Sequence, residues 1–268
     1  MNPTLQLRSV QLRVSDLGRS VDFYTKKLGF HLANQSGSQV DLATIAHASP
    51  LLRLTEDVAA PAPPRDASGL FHVALRLPSR AALGRWLQET AQAGVEFDGF
   101  SDHGVSEALY LADPDGNGIE VYADRPPSAW VYHGGRLQMG TLPLALPDLL
   151  AAGVTRVERP LTGADWGHLH LRVAALDTSE AFYCSTLGMV TTVSLGSGAR
   201  FLAADGYHHH LGLNTWGGVR QPQVPGRLGL IEAVFAHAGT TAEISRRDPN
   251  QIAIRIIPLE ATDSAARP

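Results

Sequence analysis

The chain has 268 residues, enough for one large domain or two small ones with real cores, and its 44% hydrophobic and 18% charged positions exclude intrinsic disorder. A net charge of −4 without any Lys/Arg run argues against a nucleic-acid or anionic-membrane partner. No apolar run reaches membrane-spanning length, the opening MNPTLQLRSV lacks a signal-peptide pattern, and a lone Cys184 cannot form an intrachain disulfide, so the expected location is the reducing cytoplasm.

Taken in chain order, the first element is an alternating segment ending in Leu12-Arg13-Val14, which reads as a half-buried strand. A helix follows, with Leu17, Val21, Tyr24 and Leu28 on one face and Gly29 as its stop. The stretch PAPPRDASG leads to a second strand, in which Phe71, Val73, Leu75 and Leu77 alternate with His72, Ala74 and Arg76. Ser79 fits the cap of a helix carrying Leu83, Trp86 and Leu87 on its apolar face, ended by Gly94. EALYLADPDGNGIEVYAD then reads as strand, turn, strand.

Residues 125–165, rich in Pro, Gly and Leu, form a long connection, a kind that often carries function, within which LPDLLAAG reads as a short helix. Residues 168–189 then repeat residues 9–30 without a gap, matching at Leu-Arg-Val, Leu, Ser, Phe-Tyr and Leu-Gly. Cys184 lies in the second copy of the helix and reads as a small packed apolar residue. Near the end, GRLGLIEAVFAH reads as a strand and RRDPNQIAIRIIP echoes the Asp-Pro hairpin, with too little chain between them for a helix. The expected fold is therefore α+β: four tandem βαβββ modules, the last truncated, at roughly 6–56, 70–124, 166–216 and 226–260. The chain divides into a first domain at 1–124, a linker at 125–165 and a second domain at 166–268.

Such tandem modules resemble the vicinal oxygen chelate superfamily, which includes glyoxalases, antibiotic-resistance proteins and extradiol dioxygenases. The resemblance covers nearly the whole chain. It implies that modules pair, so that two curled sheets form a cup around one metal ion, with ligands from the opening strand of each module and the closing strand of one. In this sequence the opening-strand positions are Ser9, His72, His168 and about 228–232. The closing-strand position of module two is Glu120, and its counterpart in module four, about Ala253, cannot ligate. The resemblance thus implies His72, Glu120 and His168 as a two-histidine, one-carboxylate set of the kind that holds Fe(II), with Mn(II) accepting the same donors. His170 shares the strand face of His168 and stays open as an alternative. This distribution favours pairing module two with module three over sequential pairing of one with two and three with four.

Residues 103–120 closely resemble the extradiol ring-cleaving signature: a His, a hydrophobic-Tyr pair, Asp-Pro, Gly and a ligating Glu. One departure is Ser101, where the family prefers Gly or Asn. The resemblance implies that His103 and Tyr110 hydrogen-bond the oxygens of a catechol. It also implies that a His in the stretch FLAADGYHHHLGLNTW, expected on a strand facing the cup, is the acid–base catalyst. Register selects His209, with His208 and His210 as fallbacks. Tyr122 and Trp216 are expected to line or border the pocket, Trp216 more readily as core packing. The implied reaction inserts O2 into a small aromatic diol beside its hydroxyls, giving a muconic semialdehyde. Two alternatives stand: a glyoxalase-type metal-dependent isomerase or lyase using the three ligands alone, and a metal-free small-molecule-binding resistance protein. A homo-oligomer is left open.

Overall fold

The computed structural model describes residues 4–44, 49–154 and 159–259; parts of module one, of the connection and the last position of module four lie outside these. Module one comprises β1 (Leu5–Val14), α1 (Leu17–Asp22), β2 (His31–Ser36), β3 (Gln39–Ala43) and β4 (Leu52–Glu56). Module two comprises β5 (Gly69–Leu77), α2 (Arg80–Gln92), β6 (Gly99–Asp102), β7 (Ser106–Ala112) and β8 (Gly118–Asp124). The connection holds a small hairpin, β9 (Tyr132–His133) with β10 (Arg136–Leu137), and the short helix α3 (Leu146–Ala152), where LPDLLAAG predicts one. Module three follows with β11 (Asp165–Arg172), α4 (Leu176–Leu187), β12 (Val190–Leu195), β13 (Ala199–Ala203) and β14 (Leu211–Asn214). Module four retains only strands among the described residues: β15 (Gly229–His237), β16 (Ile244–Arg247) and β17 (Ala253–Pro258). No helix of the described residues is long and apolar enough to cross a membrane.

Two curled sheets result. The eight-stranded sheet runs β12-β13-β14-β11-β5-β8-β7-β6 and joins module three to module two. The seven-stranded sheet runs β16-β17-β15-β1-β4-β3-β2 and joins module four to module one. In both, opening strands meet antiparallel at the centre, β5 against β11 and β1 against β15, and each opening strand pairs in parallel with its module's last strand. Each sheet therefore draws one module from either side of the 125–165 connection.

Local chemistry explains the element boundaries. Asp16 Oδ1 accepts from the Arg19 amide and Ser79 Oγ from the Ala82 amide, capping α1 and α2. After α2, Gly94 takes φ +72°, a conformation that a residue with a Cβ avoids. The first helix departs from a regular α pattern: after Asp22 it widens into a π-helical turn, Phe23–Lys27, with Tyr24 still buried. One apolar cluster runs between the sheets, from Leu12 and Leu54 through Val73 and Val121 to Leu169 and Phe235. Each such side chain contributes about 1.5–3 kcal/mol by leaving water. Cys184 packs against its edge.

The β5/β11 seam is irregular at two points. Trp166 pairs with Leu75 and His168 with Ala74, leaving Gly167 unpaired; His170 pairs with His72 and Leu171 with Leu70, leaving Phe71 unpaired. These bulges bracket the histidines of the site. A Cβ on Gly167 would lie 1.7 Å from the Tyr122 hydroxyl, so only glycine fits. The second bulge corrects the alternation expected for β5: Phe71 leaves the core row and stands 37% exposed.

Candidate metal centre and active-site cavity

The sheet register brings three distant residues together. Glu120 on β8 is opposite Ala74 on β5, and Ala74 is opposite His168 on β11, so a small residue separates the two. His72 lies two residues before Ala74 on the same face. His72 Nε2 is 3.0 Å and His168 Nε2 3.2 Å from Glu120 Oε2, and one ligand atom from each residue lies within 4.8 Å of the others. All three side chains are buried. His72 Nε2 makes no hydrogen bond although buried, which fits a nitrogen placed to ligate.

Protonation states suit the same role. Burial pushes the Glu120 carboxyl up, but His168 and His72 outweigh it and hold it well below the usual range. Burial pulls His168 down to about 4 despite Glu120. At neutral pH this gives an ionised carboxylate and a neutral imidazole, the forms that bind metals. The donor set therefore fits a divalent cation of the Fe(II) or Mn(II) class. In the seven-stranded sheet, the corresponding face holds Ser9, Glu232 and Ala253, and Glu232 is bound to Arg255 at 2.9 Å.

A cavity of about 390 Å³ opens over the three residues. His103, Tyr110 and His209 all line it. Tyr110 is directly opposite Glu120 across β7 and β8, and its hydroxyl is 2.7 Å from His103 Nε2. His103 Nδ1 lies 2.6 Å from the Gly140 carbonyl, which can only accept, so Nδ1 carries a proton. A neutral His103 thus presents a lone pair at Nε2 to the Tyr110 O–H. Burial and then the Glu120 charge push the Tyr110 hydroxyl well up, keeping it protonated.

Of the three consecutive histidines, His209 alone lines the cavity, its ring centroid 4.0 Å from that of His168. The expected strand placement needs correction: His208, His209 and His210 sit in the loop before β14, where strand alternation does not apply. His208 turns away, with Nε2 2.7 Å from Asp124 and Nδ1 2.7 Å from His209 Nδ1. His210 Nδ1 accepts from the Ala204 amide. Burial, and then the neighbouring imidazoles, hold His209 neutral. His170 also lines the cavity, but its Nε2 is bonded to the Asn214 amide at 3.0 Å, so it stands outside the ligand group.

Residues 6–121 match the family model described as Glyoxalase/Bleomycin resistance protein/Dioxygenase superfamily. Over 218 residues, 80% of this chain and 76% of the relative, the sequence is 39% identical to a protein named catechol-2,3-dioxygenase from Bacillus subtilis (strain 168). The chain belongs to this superfamily. It is also 28% identical, over 62% of its length and 92% of the relative's, to biphenyl-2,3-diol 1,2-dioxygenase 3 of Rhodococcus globerulus. The fold of glyoxalase I from Zea mays superposes with a TM-score of 0.57 at 15% identity, covering 95% of this chain and 92% of that one.

Other residues at or beside the cavity were not visible in the sequence. Gly140 and Met139 come from the long connection, and nothing in their spacing points to His103. Asp124, which holds His208, is signalled only by its place at the end of the Glu120 strand. Burial works against ionisation of Asp124, but the His208 hydrogen bond and charge, with Arg76, hold its carboxyl below the usual range. Trp216 is corrected: it is 42% exposed and forms part of the cavity wall with Phe71, Phe201 and Leu195, instead of packing in the core. Tyr122 lies behind His168, fully buried, its hydroxyl 2.7 Å from that of Tyr207.

Proposed function

We propose that this protein is an extradiol ring-cleaving dioxygenase acting on a catechol and O2, with His72, Glu120 and His168 as ligands of Fe(II), or of Mn(II). The observation that carries the reading is one cavity holding both the buried ligand group and the His103–Tyr110 pair, with His209 against a ligand imidazole. The dioxygenase names of two relatives agree with it. The metal, when bound, supplies sites for both diol oxygens and for O2, and lowers the pKa of the bound hydroxyl.

The chain's own residues then handle protons and orientation. His103 accepts at Nε2, and the Gly140 carbonyl fixes its Nδ1–H, so the pair His103–Tyr110 takes a proton from one diol oxygen and keeps the other oriented. His209 stands on the other side of the ligand group, neutral and shielded from water. His208 Nε2 lies 2.7 Å from Asp124 and its Nδ1 shares a proton with His209 Nδ1 at 2.7 Å, so a chain of hydrogen bonds ties His209 to that carboxylate and leaves its Nε2 outside the chain. That arrangement suits taking up a proton and delivering it to the oxygen being transferred. The apolar wall of Phe71, Leu195, Phe201 and Trp216 excludes water and holds the face and substituents of an aromatic ring. The product would be a muconic semialdehyde, the ring opening beside the hydroxyls.

Oxygen uptake by anaerobically metal-loaded protein, measured across a panel of catechols with the yellow product followed by absorbance, tests the reading. Stoichiometric oxygen consumption is expected. No uptake with any catechol would overturn it and return the site to metal-dependent isomerase chemistry.

A further inference from the structure

We propose that the protein carries a second ligand site, a cavity for a small multivalent oxyanion where the four modules meet. The cavity measures about 170 Å³ and is lined by residues of every module, among them Arg13, Arg172, Arg227 and Arg247. That volume is several times the ~30 Å³ that one water molecule occupies. The proposal does not depend on the ring-cleaving reading.

Charge is the first argument. In a chain of net charge −4, four arginines line this one cavity. The single carboxylate of the lining, Asp115, is already held by Ser15, through its amide and hydroxyl, and by Arg19 at 2.6 Å. Arg13 donates to Asp57 at 2.8 Å from one terminal nitrogen only. Arg247 gives one donor to the Gln251 carbonyl.

Unmet donors are the second. Arg13 and Arg172 are equivalent positions of the internal repeat, the arginine of each Leu-Arg-Val. Both carry a buried Nε with no hydrogen-bond partner. Burial pulls the Arg172 guanidinium down. A buried, unanswered guanidinium donor is costly, and a planar fork of donors is matched by an oxyanion that accepts two parallel hydrogen bonds. Phosphate-like groups and di- or tricarboxylates share that chemistry.

The position gives such a ligand a consequence. Gly69 and Leu70 of β5 and Asn117 line this cavity, while Phe71, His72 and Gly118 line the metal cavity. The two sites thus lie back to back on the same strand and the same turn. An anion here would tie the two sheets together, and any ligand that binds only the folded form raises its stability.

The test uses the full chain and sulfate as probe. Calorimetric titration with sodium sulfate, against sodium chloride at matched ionic strength, is compared for wild type, Arg172→Gln and Arg227→Gln; the second variant, on a loop, covers the case in which the first fails to fold. Saturable sulfate binding at millimolar concentration or below is expected, weakened at least tenfold in either variant. Crystals soaked in selenate should show an anomalous peak within hydrogen-bonding distance of Arg172. Competition separates the sources: displacement by inorganic phosphate assigns a phosphate-bearing ligand, and displacement by citrate a polycarboxylate. Equal binding by wild type and variants, failure of both competitors, or a cavity holding only water would overturn the proposal.

Discussion

The Tyr24 hydroxyl donates to Asp113 at 3.1 Å, and the Tyr183 hydroxyl donates to Asp248 at 3.2 Å in the same way. Each tyrosine belongs to the Phe-Tyr pair of a repeated helix, and each aspartate opens an Asp-Pro turn in the module of the opposite sheet. The mirror extends to the turns: Asp113 also accepts from the amides of Asp115 and Asn117, and Asp248 from those of Asn250 and Ile252. Tyr24→Phe and Tyr183→Phe should therefore each destabilise the protein by about 1–3 kcal/mol, because a buried carboxylate loses a donor. Urea denaturation measures this, and two variants with unchanged midpoints would refute the pairing.

Metal content separates ligands from their neighbours. His72→Ala, Glu120→Ala and His168→Ala should each lose stoichiometric metal after anaerobic reconstitution. His209→Asn should keep it while turnover falls about 10²–10⁴-fold, the usual worth of a positioned proton donor or acceptor. Metal analysis by plasma emission checks both, and a metal-free His209→Asn would reverse the assignment.

Tyr110→Phe deletes the hydroxyl that His103 Nε2 engages at 2.7 Å and leaves the fold of β7 untouched. Turnover at saturating catechol should drop by about 10²-fold with metal retained. A change confined to KM, with turnover intact, would mean that the pair only binds substrate.

Acid should weaken the metal-free protein. Burial holds folded His168 near a pKa of about 4, against 6.5 for an exposed imidazole, and Glu120 is also held down. Both shifts mean that the unfolded chain binds more protons: the His168 contribution is complete above about pH 6.5 and is lost as pH falls toward 4, and the Glu120 contribution is lost only below about pH 4.5. For His168 the limit is about 3 kcal/mol. Melting temperatures of chelator-treated protein between pH 7.5 and pH 4.5 read the slope, which His168→Asn should flatten. A melting temperature that rises on acidification would contradict it.

Gly167→Ala should be out of proportion to its size. The added carbon would lie 1.7 Å from the Tyr122 hydroxyl, on the residue before His168. Relief requires moving Tyr122 or β11, so about 1–3 kcal/mol of stability and most of the metal affinity should be lost together. Wild-type metal affinity in this variant would show that the bulge does not set the position of His168.

Much of this was legible in the residues. The repeat exposed the modules and the Asp-Pro turn located Glu120, while His168 and His170, on one strand face, both stayed open. What escaped is nonlocal or irregular. Phe71 leaves its expected face because a bulge breaks the period of two, which no alternating pattern announces. Gly140 reaches His103 across 37 residues through a backbone carbonyl, a group that every residue type carries. His209 was separable from its neighbours only by family register, since the three histidines sit in a loop where neither helical nor strand periodicity holds.

The interleaved sheet order also dictates when the site can exist. During synthesis β5 and β1 emerge first, and each has one edge that only β11 or β15 can cover. Until residue 168 has left the ribosome, the nascent chain holds two of the three proposed ligand residues beside a bare, hydrophobic strand edge, the kind that recruits other chains. Assembly of the candidate metal site is therefore a late event that follows long-range strand pairing, and a chain interrupted in the 125–165 connection would have neither that site nor a protected edge.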